Sequence, residues 1–433
     1  MKRILLALTV GLLLAGKAFA DGTTNALPVL TLADAQKLAL QNHPQIAAAN
    51  YRALAAEEIV KETRAGYFPA ANLYATAVGA DSDNTRIEAG GLNNPSVFNR
   101  GAGGLDVSQL ITDFGRTANL TASSKFQARA ENQNANATRE QVLLIADTSY
   151  FGALQAQAIL HVAQQTFETR QLLLDQITAL ATNKLRSELD VSFAQVTLEE
   201  GRLLLEKAQN DTDAAMASLS TALGYHEFHS FQLVEQSPTV NVATNEISDL
   251  TQTALESRPE LLSLRDERDA ALRFAKSQRD SRLPTIAAVG VAGDSPTHDS
   301  QLPDNYAAGG IQLSLPLFAG GLYTARQHEA ELKAQANAEM LRTAEDNVIR
   351  DVRIAWLNVN NALEQLRTTE QLLQHASEAY DLANARYKTG ISSIVELSQA
   401  QLNLTSAQMA NTDARYSMLI QEANLDYQVG VLH

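Results

Sequence analysis

The chain has 433 residues, no cysteine and a formal net charge of −15. The missing thiol excludes a disulfide scaffold, a Cys-ligated zinc site, a thiol nucleophile and a lipidated N-terminal cysteine. The acidic balance argues against nucleic acid as a partner, and a chain rich in Ala, Leu, Gln and Asn with only 10 prolines points to long helices.

Residues 1–20 read as a secretory signal peptide. Lys2 and Arg3 precede an apolar run over 4–16, and Ala18-Phe19-Ala20 forms a small-residue cleavage site. The run is too short to span a bilayer. After it no apolar stretch reaches 18 residues. Any later part of the chain that enters a membrane must therefore do so as β-structure.

An internal repeat organises the remainder. Asn42-His43-Pro44-Gln45-Ile46 recurs as Ser257-Arg258-Pro259-Glu260-Leu261, 215 residues on, and Phe68-Pro69 recurs as Leu283-Pro284 at the same spacing. From Gly103-Gly104 and Gly309-Gly310 onward the spacing is 206, and it holds for Ala194-Gln195-Val196-Thr197-Leu198 against Ala400-Gln401-Leu402-Asn403-Leu404. One length difference of 9 residues between Pro69 and Gly104 accounts for the change. The expected organisation is a first repeat in 21–246 and a second in 247–433.

In chain order the first copy reads as a helix over 32–64, strands over 67–80 and 101–113, a long helix over 116–182 and a last helix over 190–222. The second copy repeats this as 248–279, 283–293 with 306–318, 322–388 and 396–428. At ~1.5 Å per residue each long helix is ~100 Å, and the two shorter helices of a copy, laid end to end, match it. The last helices carry two apolar stripes: Val191, Leu198, Leu205 and Leu219 beside Val196, Leu203 and Ala217 in the first copy. Two stripes suit a stave held between two neighbours. A soluble bundle has similarly wide faces.

The strands favour the stave. Ile311, Leu313 and Leu315 alternate with Gln312 and Ser314, and Leu105 and Val107 with Asp106 and Ser108. This is the rhythm of a membrane barrel. Loops 81–100 and 294–305 are polar and turn-rich, as exposed tips should be. Four strands cannot close a barrel, and an open edge in lipid leaves backbone groups unsatisfied. Three chains together would supply twelve strands and twelve staves.

Several residues carry the site reading. Ser187-x-x-Asp190 and Ser393-x-x-Glu396 have capping-box spacing, so both acids could simply cap helices. Gly390 suits a helix C′ position. Lys184 stands at that place in the first copy, so the two turns should differ in shape. Gly115, Gly320 and Gly321, with Pro316 nearby, mark corners where strand passes into helix. Tyr67, Phe68 and Tyr74 fit either an interfacial girdle or packing at the strand-to-helix junction. His226-x-x-His229 lacks the further ligands of a zinc site, and no catalytic motif or cofactor signature appears.

With its Asn-x-Pro and Arg-Pro-Glu-Leu elements, Tyr67-Phe68-Pro69, the corner 109–116 and the stretch Arg386-Tyr387-Lys388-Thr389-Gly390-Ile391, the chain resembles the TolC-type outer-membrane efflux proteins over nearly all of 31–430. The resemblance implies an α+β membrane protein: a homotrimeric 12-stranded β-barrel in outer-membrane lipid, continued by a long α-helical barrel into the periplasm. It implies a passive exit duct for efflux or type I secretion, working with a periplasmic adaptor and an inner-membrane pump of the RND, ABC or MFS type. It places Glu396, with Asp190 as its counterpart, at the pore entrance. The next pore position on is Gln399, which is not acidic. It places Lys184, Leu185, Arg186, Tyr387, Lys388, Gly390 and Ile391 at the adaptor-facing tip. The competing readings are a soluble periplasmic coiled-coil scaffold and, resting only on His226 and His229, a metal-binding periplasmic protein.

Overall fold

The computed structural model describes residues 27–78, 100–235, 246–297 and 304–432. The expected signal peptide and most of the two expected loop tips lie outside the described residues. The chain order is β1 (Val29–Leu30), α1 (Leu32–Asn42), α2 (Pro44–Ala65), β2 (Ala70–Val78), β3 (Arg100–Thr112), α3 (Arg116–Thr182) and α4 (Glu188–Ala222). It continues with β4 (Gln232–Leu233), α5 (Ile247–Ser257), α6 (Pro259–Asp280), β5 (Thr285–Thr297), β6 (Asn305–Ser314), α7 (Leu322–Lys388) and α8 (Ile394–Val429).

The long helices have the expected bounds, at 67 residues each. The expected single helices over 32–64 and 248–279 are each broken by an elbow. Proline disfavours the α conformation in the residue before it. His43 and Arg258 accordingly sit at φ −69, ψ 122 and φ −60, ψ 122. Pro44 and Pro259 then open α2 and α6, where a missing N–H costs nothing. The last helices begin two residues earlier than expected, because Ser187 and Ser393 act as N-caps. Strand β5 runs on to Thr297, into the stretch expected to be loop. Strand β6 stops at Ser314 instead of 318, since Pro316 cannot donate to a ladder.

Strands β2, β3, β5 and β6 form one antiparallel sheet in that order. Leu73, Leu105, Ala292 and Ala307 line up across it in one row, with Tyr74, Gly104, Gly293 and Tyr306 in the next. Below the sheet the helices form a single wall. Near the sheet its order is α2, α3, α6, α7, and farther away α4, α3, α8, α7. Each long helix thus has short helices stacked in line beside it. Small residues allow close approach, as where Ala49 and Ala53 of α2 pack on Ala135 of α3.

The wall and the sheet both end in open edges. The buried stripe of α4 holds Leu198 and Leu219, while Val196 and Leu203 of the second stripe are 58% and 68% exposed. At the other edge α7 exposes Leu332, Leu357 and Leu382. Among the described residues the edge strands β2 and β6 each have one neighbour.

Midway along the wall the two elbows clasp α3 and the ends of α4 and α8. Tyr150 of α3 donates its hydroxyl to the carbonyls of Leu30 and Val234 at 3.0 and 2.8 Å, tying down the parallel β1–β4 pair. Asp147 accepts from Gln36 Nε2 of α1. Gly224, after α4, has φ +81 and lies so close to the first elbow that a Cβ there would meet backbone atoms of Asn42 and His43 at 2.7–2.8 Å.

Candidate functional site

The proposed site residues gather at two ends. The corners lie where the sheet meets the wall. The tip turns lie at the far ends of α3 and α7, ~100 Å away at 1.5 Å per residue.

At the first corner Phe114 and Gly115 both take positive φ, at 55° and 110°. At the second, Gly320 and Gly321 do so at 59° and 85°. The corners therefore share one backbone path, with a phenylalanine tolerated at one of the four places. Buried Asp113 holds the first corner, its Oδ1 accepting from Gly115 N at 3.3 Å and its Oδ2 from Thr117 N at 2.7 Å. Asn119 reaches across to Asp280 of α6 at 2.8 Å. Tyr67 and Phe68 lie in the turn before β2, where the Tyr67 carbonyl accepts from Gln109, whereas Tyr74 is in mid-strand.

The tip is formed by residues 183–187 and 389–393. The expected difference in turn shape is not found. Lys184 has φ +58 and Gly390 φ +78. In the first turn Lys184 N donates to Ala181 O and Leu185 N to Leu180 O. In the second, Gly390 N donates to Tyr387 O and Ile391 N to Arg386 O. Both are Schellman closures, which satisfy the last helix carbonyls only if C′ is left-handed. These backbone hydrogen bonds override the ordinary reluctance of a side-chain-bearing residue to adopt that conformation.

The two caps differ instead. Ser187 Oγ accepts from Asp190 N, and Asp190 Oδ2 accepts from Ser187 N, both at 3.2 Å. This is a complete capping box. Ser393 Oγ accepts from Glu396 N at 3.3 Å, but the Glu396 carboxylate turns to Arg386 Nε at 3.5 Å. Arg386 belongs to the tip stretch that carries the family resemblance, but its pairing with Glu396 is not legible in the sequence, because the two meet only once the chain has turned back. Gln399 points along α8 and donates to Asn403.

Tyr387 stands apart from the other tip residues. Its ring is 6% exposed and packs with Ile177, Ala194, Ile394 and Leu397. Arg186 lies over that ring at 4.4 Å and donates to the Tyr387 carbonyl at 3.2 Å. Burial pushes the Tyr387 phenol up, against the pull of the Arg186 guanidinium. Around this core, Lys184, Leu185, Lys388, Gly390 and Ile391 are exposed. His226 and His229 belong elsewhere: His229 stacks on Tyr225 with centroids 4.3 Å apart. Among the described residues no group of three or more potential ligands could hold a metal ion.

The outer membrane efflux protein profile matches residues 35–225 and 250–431. The outer membrane protein TolC of Escherichia coli (strain K12) is 26% identical over 446 residues, covering 99% of this chain and 87% of that protein. The proteases secretion protein PrtF of Dickeya chrysanthemi is 24% identical over 459 residues, covering 100% and 93%. Among solved structures, the Campylobacter jejuni CmeC outer membrane channel has the same fold, with TM-score 0.78 and 17% identity over 92% of this chain and 85% of that one. Two profile matches in tandem, one on each copy of the repeat, together span most of the sequence, and the chain belongs to the outer membrane efflux protein family.

Proposed function

We propose that three copies of this chain form an outer-membrane exit duct for efflux and type I secretion, a water-filled conduit gated at its periplasmic tip. The observation that carries this reading is the pair of open edges. A four-stranded sheet and a four-stave wall, each unpartnered on both sides, close into a twelve-stranded barrel above a twelve-stave tunnel. Closure pairs the backbone of β2 and β6, which lipid cannot do. It also covers the exposed second stripe of α4 and the bare apolar side chains of α7.

Within this duct the chain acts as a conduit and not as an enzyme, the reading its channel and secretion relatives favour. The duct works with a periplasmic adaptor and an inner-membrane pump. The exposed tip residues Lys184, Leu185, Lys388, Gly390 and Ile391 meet the adaptor. Asp190 and Glu396, three of each per trimer, form a ring of carboxylates at the pore entrance, a common means of selecting by charge. Asp190 also caps α4, so its two roles coexist.

Extraction of the full chain from outer membranes in detergent, followed by native mass spectrometry and planar-bilayer recording, tests the proposal. A trimer with cation-preferring conductance is the expected result. A monomer that stays soluble without detergent and conducts nothing would sink it and favour the scaffold reading.

A further inference from the structure

A buried carboxylate at the second elbow has no counter-charge of its own. Glu140 of α3 is 9% exposed, and its Oε2 has no hydrogen-bond partner among the described residues. It borders a cavity of about 460 Å³ between α1, α3, the α5–α6 elbow and the residues that follow α8, with Leu40, Leu143, Pro259 and Val431 on its walls. The ionisable groups facing it are Arg258 and Glu260 from the elbow, Tyr427 from α8, and Arg139 of its own helix at the cavity lining.

Arg258, Glu260 and Tyr427 are already engaged with one another, while Arg139 is exposed. Arg258 Nε lies 3.4 Å from Glu260 Oε2, and its Nη1 donates to Gln428 Oε1 at 2.9 Å. The Tyr427 hydroxyl donates to Glu260 Oε1 at 3.2 Å, and the Arg258 guanidinium lies 5.7 Å from the centre of the Tyr427 ring. Arg258 thus balances Glu260, and no cation among the described residues is paired with ionised Glu140. A buried, unmatched carboxylate keeps its proton in preference to bearing the desolvation cost.

We propose that Glu140 is a proton-operated latch: with its carboxyl protonated the α5–α6 elbow seats on α3, and loss of the proton lifts the elbow and admits water through the adjoining cavity. Burial foremost, with Glu260 adding to it and Arg258 opposing it, raises the Glu140 carboxyl from 4.5 to about 7. The seated form therefore holds the proton more tightly than the lifted form. Seating is favoured most below the ordinary carboxylate value and weakens as pH climbs through about 7. The first elbow differs, because the carboxylate beside it, Asp147, is held by Gln36.

Hydrogen exchange by mass spectrometry on the full trimer in detergent tests this. After correction for intrinsic exchange, amides of 257–264 and 427–432 should lose protection about tenfold between pH 6 and 8.5. They should stay protected at both values in Glu140→Gln. A variant that follows the wild type overturns the latch. Should the variant fail to assemble, the wild-type series decides alone: protection that falls with rising pH and levels off near 7 supports the latch, and flat protection overturns it.

Discussion

Arg186 and Tyr387 join the two tip turns. The guanidinium stacks at 4.4 Å on a ring carried by α7 and donates to that residue's carbonyl, although Arg186 belongs to the turn after α3. The α3–α4 hairpin is thereby tied to the α7–α8 hairpin at the point where opening would separate them. A stack of this kind is worth ~0.5–1 kcal/mol and the hydrogen bond about as much again.

Arg186→Ala is accordingly expected to raise the open fraction of the channel by roughly five- to thirtyfold, the equivalent of ~1–2 kcal/mol. Arg186→Lys should behave nearly as badly, because an ammonium lacks the planar face that stacks. Open probability in single-channel recordings reads this directly. Unchanged gating in both variants would remove the tie from the mechanism.

Lys184 adopts its left-handed backbone against its own preference, so Lys184→Gly should stabilise the first tip turn by ~1 kcal/mol. Gly390→Ala should cost the second turn a similar amount. Exchange protection of amides in the last turns of α3 and α7 should move in opposite directions in the two variants.

Gly224→Ala is expected to be more damaging than Gly430→Ala. The first places a methyl 2.7–2.8 Å from elbow backbone, whereas the second meets Ser257 and Arg258 atoms at 3.1 Å or more. Strain from positive φ is common to both, and the clash adds a further ~1–3 kcal/mol only at Gly224. Thermal denaturation of the two trimers should rank them in this order.

Glu396→Gln leaves Ser393 capping α8, since the cap runs from Ser393 Oγ to the Glu396 backbone N–H. Cation-over-anion permeability should fall while thermal stability holds. Asp190→Asn should lower both, because the Asp190 side chain completes a capping box. Equal selectivity in wild type and Glu396→Gln would assign that carboxylate to Arg386 alone.

Asp147 gives a second pH dependence. Burial raises its carboxyl to about 6, with the Gln36 hydrogen bonds opposing and Asp426 assisting. The folded state then binds the proton more tightly than the unfolded state. The contribution is fully present below 3.8, the unfolded value, and is lost as pH rises through about 6. Asp147→Asn should flatten the stability curve between pH 4 and 6.5, measured by chemical denaturation of the trimer.

Much of this architecture could be read from the sequence because duplication preserves spacing. The bounds of α3 and α7 followed from two copies agreeing to the residue. The elbows were missed although Pro44 and Pro259 were in view. Apolar positions suited to a helix continue on both sides of each proline, and such a pattern does not register a bend. The left-handed Lys184 was missed for a different reason. Its residue type argued for another turn, and only the backbone hydrogen bonds of the closed turn outweigh that preference. The Arg386–Glu396 pair was hidden by its spacing, since these residues face each other across a reversal and not along one helix. The latch at Glu140 combines three elements that no linear pattern joins.

Open edges on both sides of one protomer also decide how the molecule comes into being. A strip with unpaired strands has no state of its own that lipid can dissolve, so insertion and association form a single event. Its apparent stability then depends steeply on protomer concentration, because three chains must meet for any one of them to count as folded. A lesion at an edge of α4 or α7 will therefore lower the amount of duct made long before it alters the duct that is made.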